Sequence, residues 1–328
     1  MNEFLAGILS GINTVVGNYG WSIVVFTILI KLILFPLDYK SRKSMRNMSA
    51  LSPQLAVLQK KYANDKEKLN QKTADLYKKA GVNPLSGCLP LLLSWPILLW
   101  MFGAMRNVAN TELALQAVNL ITGTPVEYEG WFWVKNLWMP DSPFATMIAD
   151  QNSLKMIPAD IWTKVFGMLS PEQIASLANL GEGLAITAEN LTGDTVFAAL
   201  SQNATYLAEL TPWPTMPTLN LLIAQMTVYL NGNGFFLLPV LAAVTQLVMT
   251  QLQQPAQPGA EGANAGTNKF MKWFFPIFSL YICSTYNAGF SLYWVASNLF
   301  AAAETYAINK FLDAKAQKNA IAGEGKVQ

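Results

Sequence analysis

Five apolar runs approach the roughly 20 residues that a helix needs to cross hydrocarbon: residues 21–37, 84–105, 235–252, 270–286 and 290–309. The fourth is centred on Trp273–Tyr286 and extends back through Phe270. Asn287-Ala288-Gly289 separates it from the fifth and predicts a tight turn between antiparallel spans. Between the first two runs, residues 38–83 change character: Leu51, Leu55 and Leu58 recur at helical spacing, Asn64-Asp65 interrupts, and Leu69 and Leu76 resume before Gly81. That pattern predicts a protruding two-helix hairpin. Residues 106–234 form a long region in which Glu172–Leu180 and Val196–Leu210 read as amphipathic helices. Met216–Leu230 is apolar enough for an interfacial or re-entrant helix, but its length, Asn220 and Gln225 argue against a full crossing.

Charge orients this pattern. The hairpin carries eleven Lys or Arg against four Asp or Glu, whereas 106–234 carries four basic residues against eleven acidic ones. Cytoplasmic loops collect Lys and Arg. The hairpin, the flexible loop 253–269 and the tail 310–328 are therefore expected inside the cell, and the segment 1–20 and the acidic region outside. The expected fold is an all-α integral membrane protein: five transmembrane helices around a hydrophilic groove, a cytoplasmic two-helix hairpin and a helical extracytoplasmic insertion. The expected location is the bacterial plasma (inner) membrane. The first twenty residues hold Glu3 and no Ala-x-Ala site, and read as no cleavable signal.

Composition narrows the chemistry. Of the 328 residues, 52% are hydrophobic and 13% charged, against about 25% charged in soluble domains. With no histidine, imidazole catalysis and the commonest nitrogen metal ligand are excluded. Cys88 and Cys283 lie in separate apolar runs and read as small core residues rather than a disulfide or metal pair. The chain lacks a Gly-x4-Gly-Lys-Ser/Thr phosphate loop. No cofactor, metal, catalytic residue or DNA partner is expected, and the protein is not read as an enzyme.

Lys31 is the most informative position. It follows Trp21 by ten residues, about 15 Å into the membrane at 1.5 Å per residue. Lysine at a helix centre costs about 2.5–3.5 kcal/mol to insert, so its presence implies a wet cavity, an acidic partner or a task. The competing reading is snorkelling, for which a stem of about 6 Å is short at that depth. Thr27 lies one turn before Lys31 on the same face. Gln246 with Thr245, Ser284 with Thr285, and Ser297 with Asn298 add polar groups to later spans. Each alone could be interhelical glue; together with Lys31 they favour a shared groove. Glu304 is the one acid within the apolar runs and a candidate charge partner for Lys31.

Three segments resemble the YidC/Oxa/Alb membrane insertases. Thr27-Ile-Leu-Ile-Lys31-Leu-Ile-Leu-Phe-Pro36 resembles the first core span. Tyr77 through Asn83-Pro84, Gly87-Cys88, Pro90 and Pro96 resembles the entry to the second. Asn287-Ala-Gly289-Phe-Ser-Leu-Tyr293-Trp294-Val-Ala-Ser-Asn298 resembles the last. Shorter echoes are Trp133–Asp141 and Leu238–Ala242. The resemblance covers about two thirds of the chain and departs at 142–232, where some ninety residues replace a short external connection. It implies that Lys31 stands where the family has an arginine in a groove open to cytoplasm and lipid, bordered by Thr27, Gln246, Tyr293 and Trp294. Lysine keeps the charge without arginine's planar fork. It also implies that the hairpin, with Arg42, Lys43, Arg46, Lys60 and Lys61, recruits nascent membrane-protein clients or ribosomes, alone or beside the Sec translocon. The alternative is a small-solute or anion transporter with a midplane lysine, which predicts internal symmetry that the chain does not display.

Overall fold

The computed structural model describes residues 2–81, 89–181, 184–216, 218–221, 224–253 and 265–324. Five long helices account for the apolar runs: α2 (Tyr19–Ala50), α5 (Leu89–Thr122), α11 (Leu237–Gln253), α12 (Ala265–Thr285) and α13 (Ala288–Glu324). Ahead of them lies α1 (Asn2–Val16). α3 (Ser52–Lys61) and α4 (Lys66–Lys79) follow α2. The region between α5 and α11 holds five short helices: α6 (Gln151–Lys155), α7 (Ala159–Phe166), α8 (Pro171–Ala178), α9 (Gly193–Leu200) and α10 (Ala204–Glu209). The only strands among the described residues are β1 (Leu219–Leu221) and β2 (Ala224–Met226), antiparallel with Leu219 opposite Met226. The protein is otherwise all-α. The entry motif around Asn83-Pro84 and Cys88 lies outside the described residues.

Two compact units divide the chain. The first holds residues 1–26, 100–242 and 280–294; the second holds 27–99, 243–279 and 295–328. In the first, Trp138, Trp162, Leu154 and Tyr206 are fully buried, which gives the region between α5 and α11 an apolar core of its own. Two of its short helices close capping boxes, Ser170 with Gln173 on α8 and Thr192 with Thr195 on α9. Such caps satisfy the orphan N–H groups that make short helices marginal.

Several boundaries differ from the sequence reading. Residues 2–16 are helical and end at Gly17, whose φ of +74° supplies the left-handed stop. α2 runs on to Ala50, so Arg42, Lys43 and Arg46 extend it, and the hairpin proper is α3 and α4. Pro53 suits the first turn of α3, and the Asp65 side chain accepts from Lys68 N to start α4. Val196–Leu210 is two helices, because Asn203 turns its side chain to cap Tyr206 N. Met216–Leu230 contains no helix among its described residues. The ribbon β1–β2 binds this segment to itself instead, and Val228 O accepts from Trp213 N just before it.

Three of the long helices display apolar stripes outward. On α2 these are Val25, Ile28, Leu29, Leu32 and Ile33; on α11, Val240, Leu241, Val244 and Val248; on α12, Phe270, Trp273, Phe274, Ile277, Phe278 and Tyr281. The spacing in each is that of one helix face. α2 is the one helix among the described residues with both the length and the hydropathy of a membrane span; α11 is apolar but shorter.

Candidate functional site

The second unit contains Lys31, Thr27, Gln246, Ser297, Asn298 and Glu304. Thr27 is buried, and Lys31 one turn later is half-buried with no ion pair within 4 Å among the described residues. The acids whose charges act on it are Asp38 first and Glu304 second, with Arg42 opposing. Glu304 is only 5% exposed, and neither carboxylate oxygen makes a hydrogen bond to a described residue. Lys31, Arg42, Asp38 and Glu304 thus form a set of opposite charges on α2 and α13 that act on one another without closing into a contact pair. Of the four only Glu304 is buried; Lys31, Asp38 and Arg42 keep part of their surface open, where water or a visiting group can reach them. Pro36 adds to the polarity, since it has no N–H to offer the Leu32 carbonyl one turn back.

Asn298 Nδ2 donates to Thr245 Oγ1 at 3.2 Å, tying α13 to α11. Gln246, Ser297 and Asn298 are all half-buried. Tyr293 and Trp294 fall in the first unit, where both rings pack near Phe290, at 6.3 and 5.6 Å. Tyr293 is buried, and the Trp294 indole N–H is buried without a hydrogen-bond partner among the described residues.

Sequence reasoning misses the scaffold that the first unit builds from Trp133–Asp141. Asp141 is fully buried, and its carboxylate accepts four hydrogen bonds. Oδ1 takes Phe235 N at 2.9 Å and Phe236 N at 3.2 Å; Oδ2 takes Leu238 N at 2.7 Å and Trp133 Nε1 at 3.0 Å. It therefore caps α11 from almost a hundred residues away. Gly234 leaves no room for a side chain beside Asp141 Oδ1. Asn233 Nδ2 donates to the carbonyls of Asn136, Met139 and Pro140, while its Oδ1 accepts from Asn136 N. Ala288 N and Gly289 N, opening α13, donate to the carbonyls of Met139 and Leu137. A side chain at Gly289 would crowd Ile23 and Trp138. One loop thus fixes the N-terminal ends of α11 and α13 together. Asp141 ends a recognisable motif, but nothing local in the sequence signals that its partners lie at 235–238.

Arg42 and Arg46 belong to a cavity rather than to the exposed hairpin. One turn apart on α2, they line a space of about 390 Å³ with Met45, Ser49, Leu252, Asn309 and Asp313. Arg46 Nη2 pairs with Asp313 at 2.5 Å. Lys60 and Lys61 end α3 and are exposed.

The pattern of the 60Kd inner membrane protein family matches residues 11–179 and 191–316. The chain is 50% identical over 107 residues to a membrane protein insertase YidC of Fusobacterium nucleatum, a match covering 33% of this chain and 52% of that protein. It is 36% identical over 162 residues to a YidC of Pseudomonas fluorescens, covering 49% and 27%. It is 28% identical over 320 residues to ALBINO3-like protein 1, chloroplastic, of Arabidopsis thaliana, covering 96% and 48%. The chain thus spans about half or less of the length of these relatives. The chain belongs to the 60Kd inner membrane protein family, the YidC/Oxa/Alb group.

Proposed function

We propose that this protein is a membrane protein insertase. It eases hydrophobic helices of client proteins into the bilayer through a hydrophilic groove, without a covalent step. The observation that carries the reading is Lys31: a cation on an apolar helix, half-buried, facing the charges of Asp38 and Glu304 without an ion pair among the described residues. Names of the relatives support the same role.

In this reading α2, α5, α11, α12 and α13 cross a bacterial inner membrane, with the outward stripes of α2, α11 and α12 against lipid. The N-terminus and the capped region 106–234 lie outside; α3–α4 and the tail lie in the cytoplasm. The groove holds water around Lys31, Thr27, Gln246, Ser297 and Asn298. An acidic or polar flank of a client crosses beside the ammonium instead of through hydrocarbon. Its apolar segment then leaves sideways into lipid, gaining about 25 cal/mol per Å² buried. The protein partners are nascent membrane proteins, with ribosome and Sec translocon as delivery systems.

The test is reconstitution. Proteoliposomes containing the purified chain should insert a single-span client to protease-protected depth, where empty liposomes do not. Anion flux without insertion would replace this reading by the transporter alternative. Recruitment through the hairpin has its own readout. Lys60→Glu combined with Lys61→Glu reverses exposed charge at the end of α3, and every phosphate that goes without a neutralising lysine lowers affinity for a surface rich in nucleic acid. Ribosome co-sedimentation at low salt should drop about tenfold, and unchanged co-sedimentation would remove the hairpin from recruitment.

A further inference from the structure

The cavity lined by Arg42 and Arg46 lies where three helices leave their apolar stretches. Arg42 stands five residues past Leu37, the end of the apolar run on α2, which is about 7.5 Å along the axis. Leu252 closes the apolar run of α11, and Asn309 that of α13. Three independent sequence marks therefore put the cavity at one level, the zone of about 5–8 Å in which headgroups cover the hydrocarbon. Its lining has a cationic side and an apolar side, the latter from Met45 and Leu252.

The guanidinium groups are not equivalent. Arg46 is half-exposed and already engaged by Asp313. Arg42 is more enclosed: its Nε is buried and makes no hydrogen bond to any described residue. The charges of Glu304 and Asp38 act on it, yet no acid approaches Arg42 within 4 Å among the described residues. A buried charged donor left unmade costs more than about 1–3 kcal/mol. An anion with several acceptor oxygens, set between Arg42 and Arg46, offers the bidentate geometry that guanidinium groups take up best.

We propose that this cavity binds the phosphate headgroup of an anionic phospholipid of the inner leaflet, with Arg42 as principal ligand, Arg46 at the rim and Met45 and Leu252 against the start of the acyl chains. Basic pockets between transmembrane helices on the cytoplasmic side recognise acidic headgroups in this way. A bound lipid would seal the inner ends of α2, α11 and α13 to one another. The inference depends on α2 crossing the membrane, not on what the protein inserts.

Native mass spectrometry of the full chain, released from detergent with phosphatidylglycerol or phosphatidylcholine of identical acyl chains, tests it. Wild type should retain phosphatidylglycerol selectively. Arg42→Gln should lower that retention at least about tenfold, the worth of a charge-assisted hydrogen bond removed from a buried site. Arg42→Lys should keep part of it. Lys43→Gln, which removes an exposed charge next door on the same helix, should change it little. Should the glutamine variant at 42 lose its helical circular dichroism, Arg46→Gln is read instead, with a loss of about fivefold. Equal retention of the two lipids overturns the proposal, as does an Arg42→Gln protein that binds like wild type or a Lys43→Gln protein that loses as much. Inorganic phosphate binding as tightly as phosphatidylglycerol would also overturn it, because the acyl-chain side would then contribute nothing.

Discussion

Alanine at position 31 is expected to lower insertion of a single-span client with an acidic flank about tenfold, while arginine restores most of it. Tenfold corresponds to about 1.4 kcal/mol, a modest share of the attraction of about 4 kcal/mol between unit charges 4 Å apart at an effective dielectric of 20. The discount reflects water in the proposed groove and the acids Asp38 and Glu304, whose charges act on Lys31. A client with a neutral flank should suffer much less. Loss of folding is a separate outcome, because Lys31 has no ion pair among the described residues to lose, and removing a poorly solvated cation from an apolar helix relieves a penalty. The alanine variant should therefore melt no lower than wild type in detergent. If alanine inserts acidic-flanked clients as fast as lysine, the electrostatic role assigned to this position is wrong.

Much of this architecture is written in one-dimensional patterns, and the features that sequence alone does not disclose share a physical cause. Long apolar runs announce themselves because hydrocarbon demands about 20 residues of uniform character, so α2, α5, α11, α12 and α13 stand where the runs stand. Lys31 announces itself because it is costly there. Helix ends are less legible. Nothing between Asp38 and Ala50 forbids continuation of α2, and only Pro53 interrupts, so the change in charge suggests a boundary that backbone geometry does not impose. By charge alone Arg42 and Arg46 group with the exposed lysines of α3, whereas the fold sets them in a cavity against α11 and α13. The ribbon at 219–226 is hidden for the opposite reason: an apolar segment too short to cross looks alike as helix or strand. Least legible of all are interactions across great sequence distance. Asn136 with Asn233, Gly289 against Trp138 and Ile23, and Asp141 with Phe235–Leu238 each join residues from separate stretches of chain. No periodicity encodes such a pairing. Their residue types do hint at it, since Asp, Asn and Gly clustered beside apolar runs need partners if they are buried.

Asp141 carries the largest stability effect expected anywhere in the chain. Its carboxylate, itself fully buried, is the shared acceptor for three backbone N–H groups at the start of α11 and for the Trp133 indole, in bonds that are buried at Leu238 and part-buried elsewhere. The negative charge also sits at the positive end of the α11 dipole, a contribution of about 0.5–2 kcal/mol by itself. Replacing Asp141 by alanine removes the acceptor from all four donors, of which the Leu238 N–H is the buried one, at about 1–3 kcal/mol for each one that finds no water. Partial relaxation at the α11 terminus makes a total of about 3–5 kcal/mol the expected loss. Asparagine keeps the shape but swaps one acceptor oxygen for a donor, which faces N–H groups whichever way the amide turns; an intermediate loss should follow. Glutamate, longer by one methylene, meets the close approach of Gly234 and should fare little better than alanine. Thermal unfolding in detergent measures the order wild type, asparagine, then alanine with glutamate, and hydrogen exchange at residues 235–238 localises it. Because Asn233, Met139 and Leu137 also hold the opening of α13, alanine should loosen exchange at residues 288–291 as well. Protection lost at α11 alone would mean that the two helix ends are secured independently, and a melting temperature equal to wild type would mean that the buried carboxylate is not what holds them.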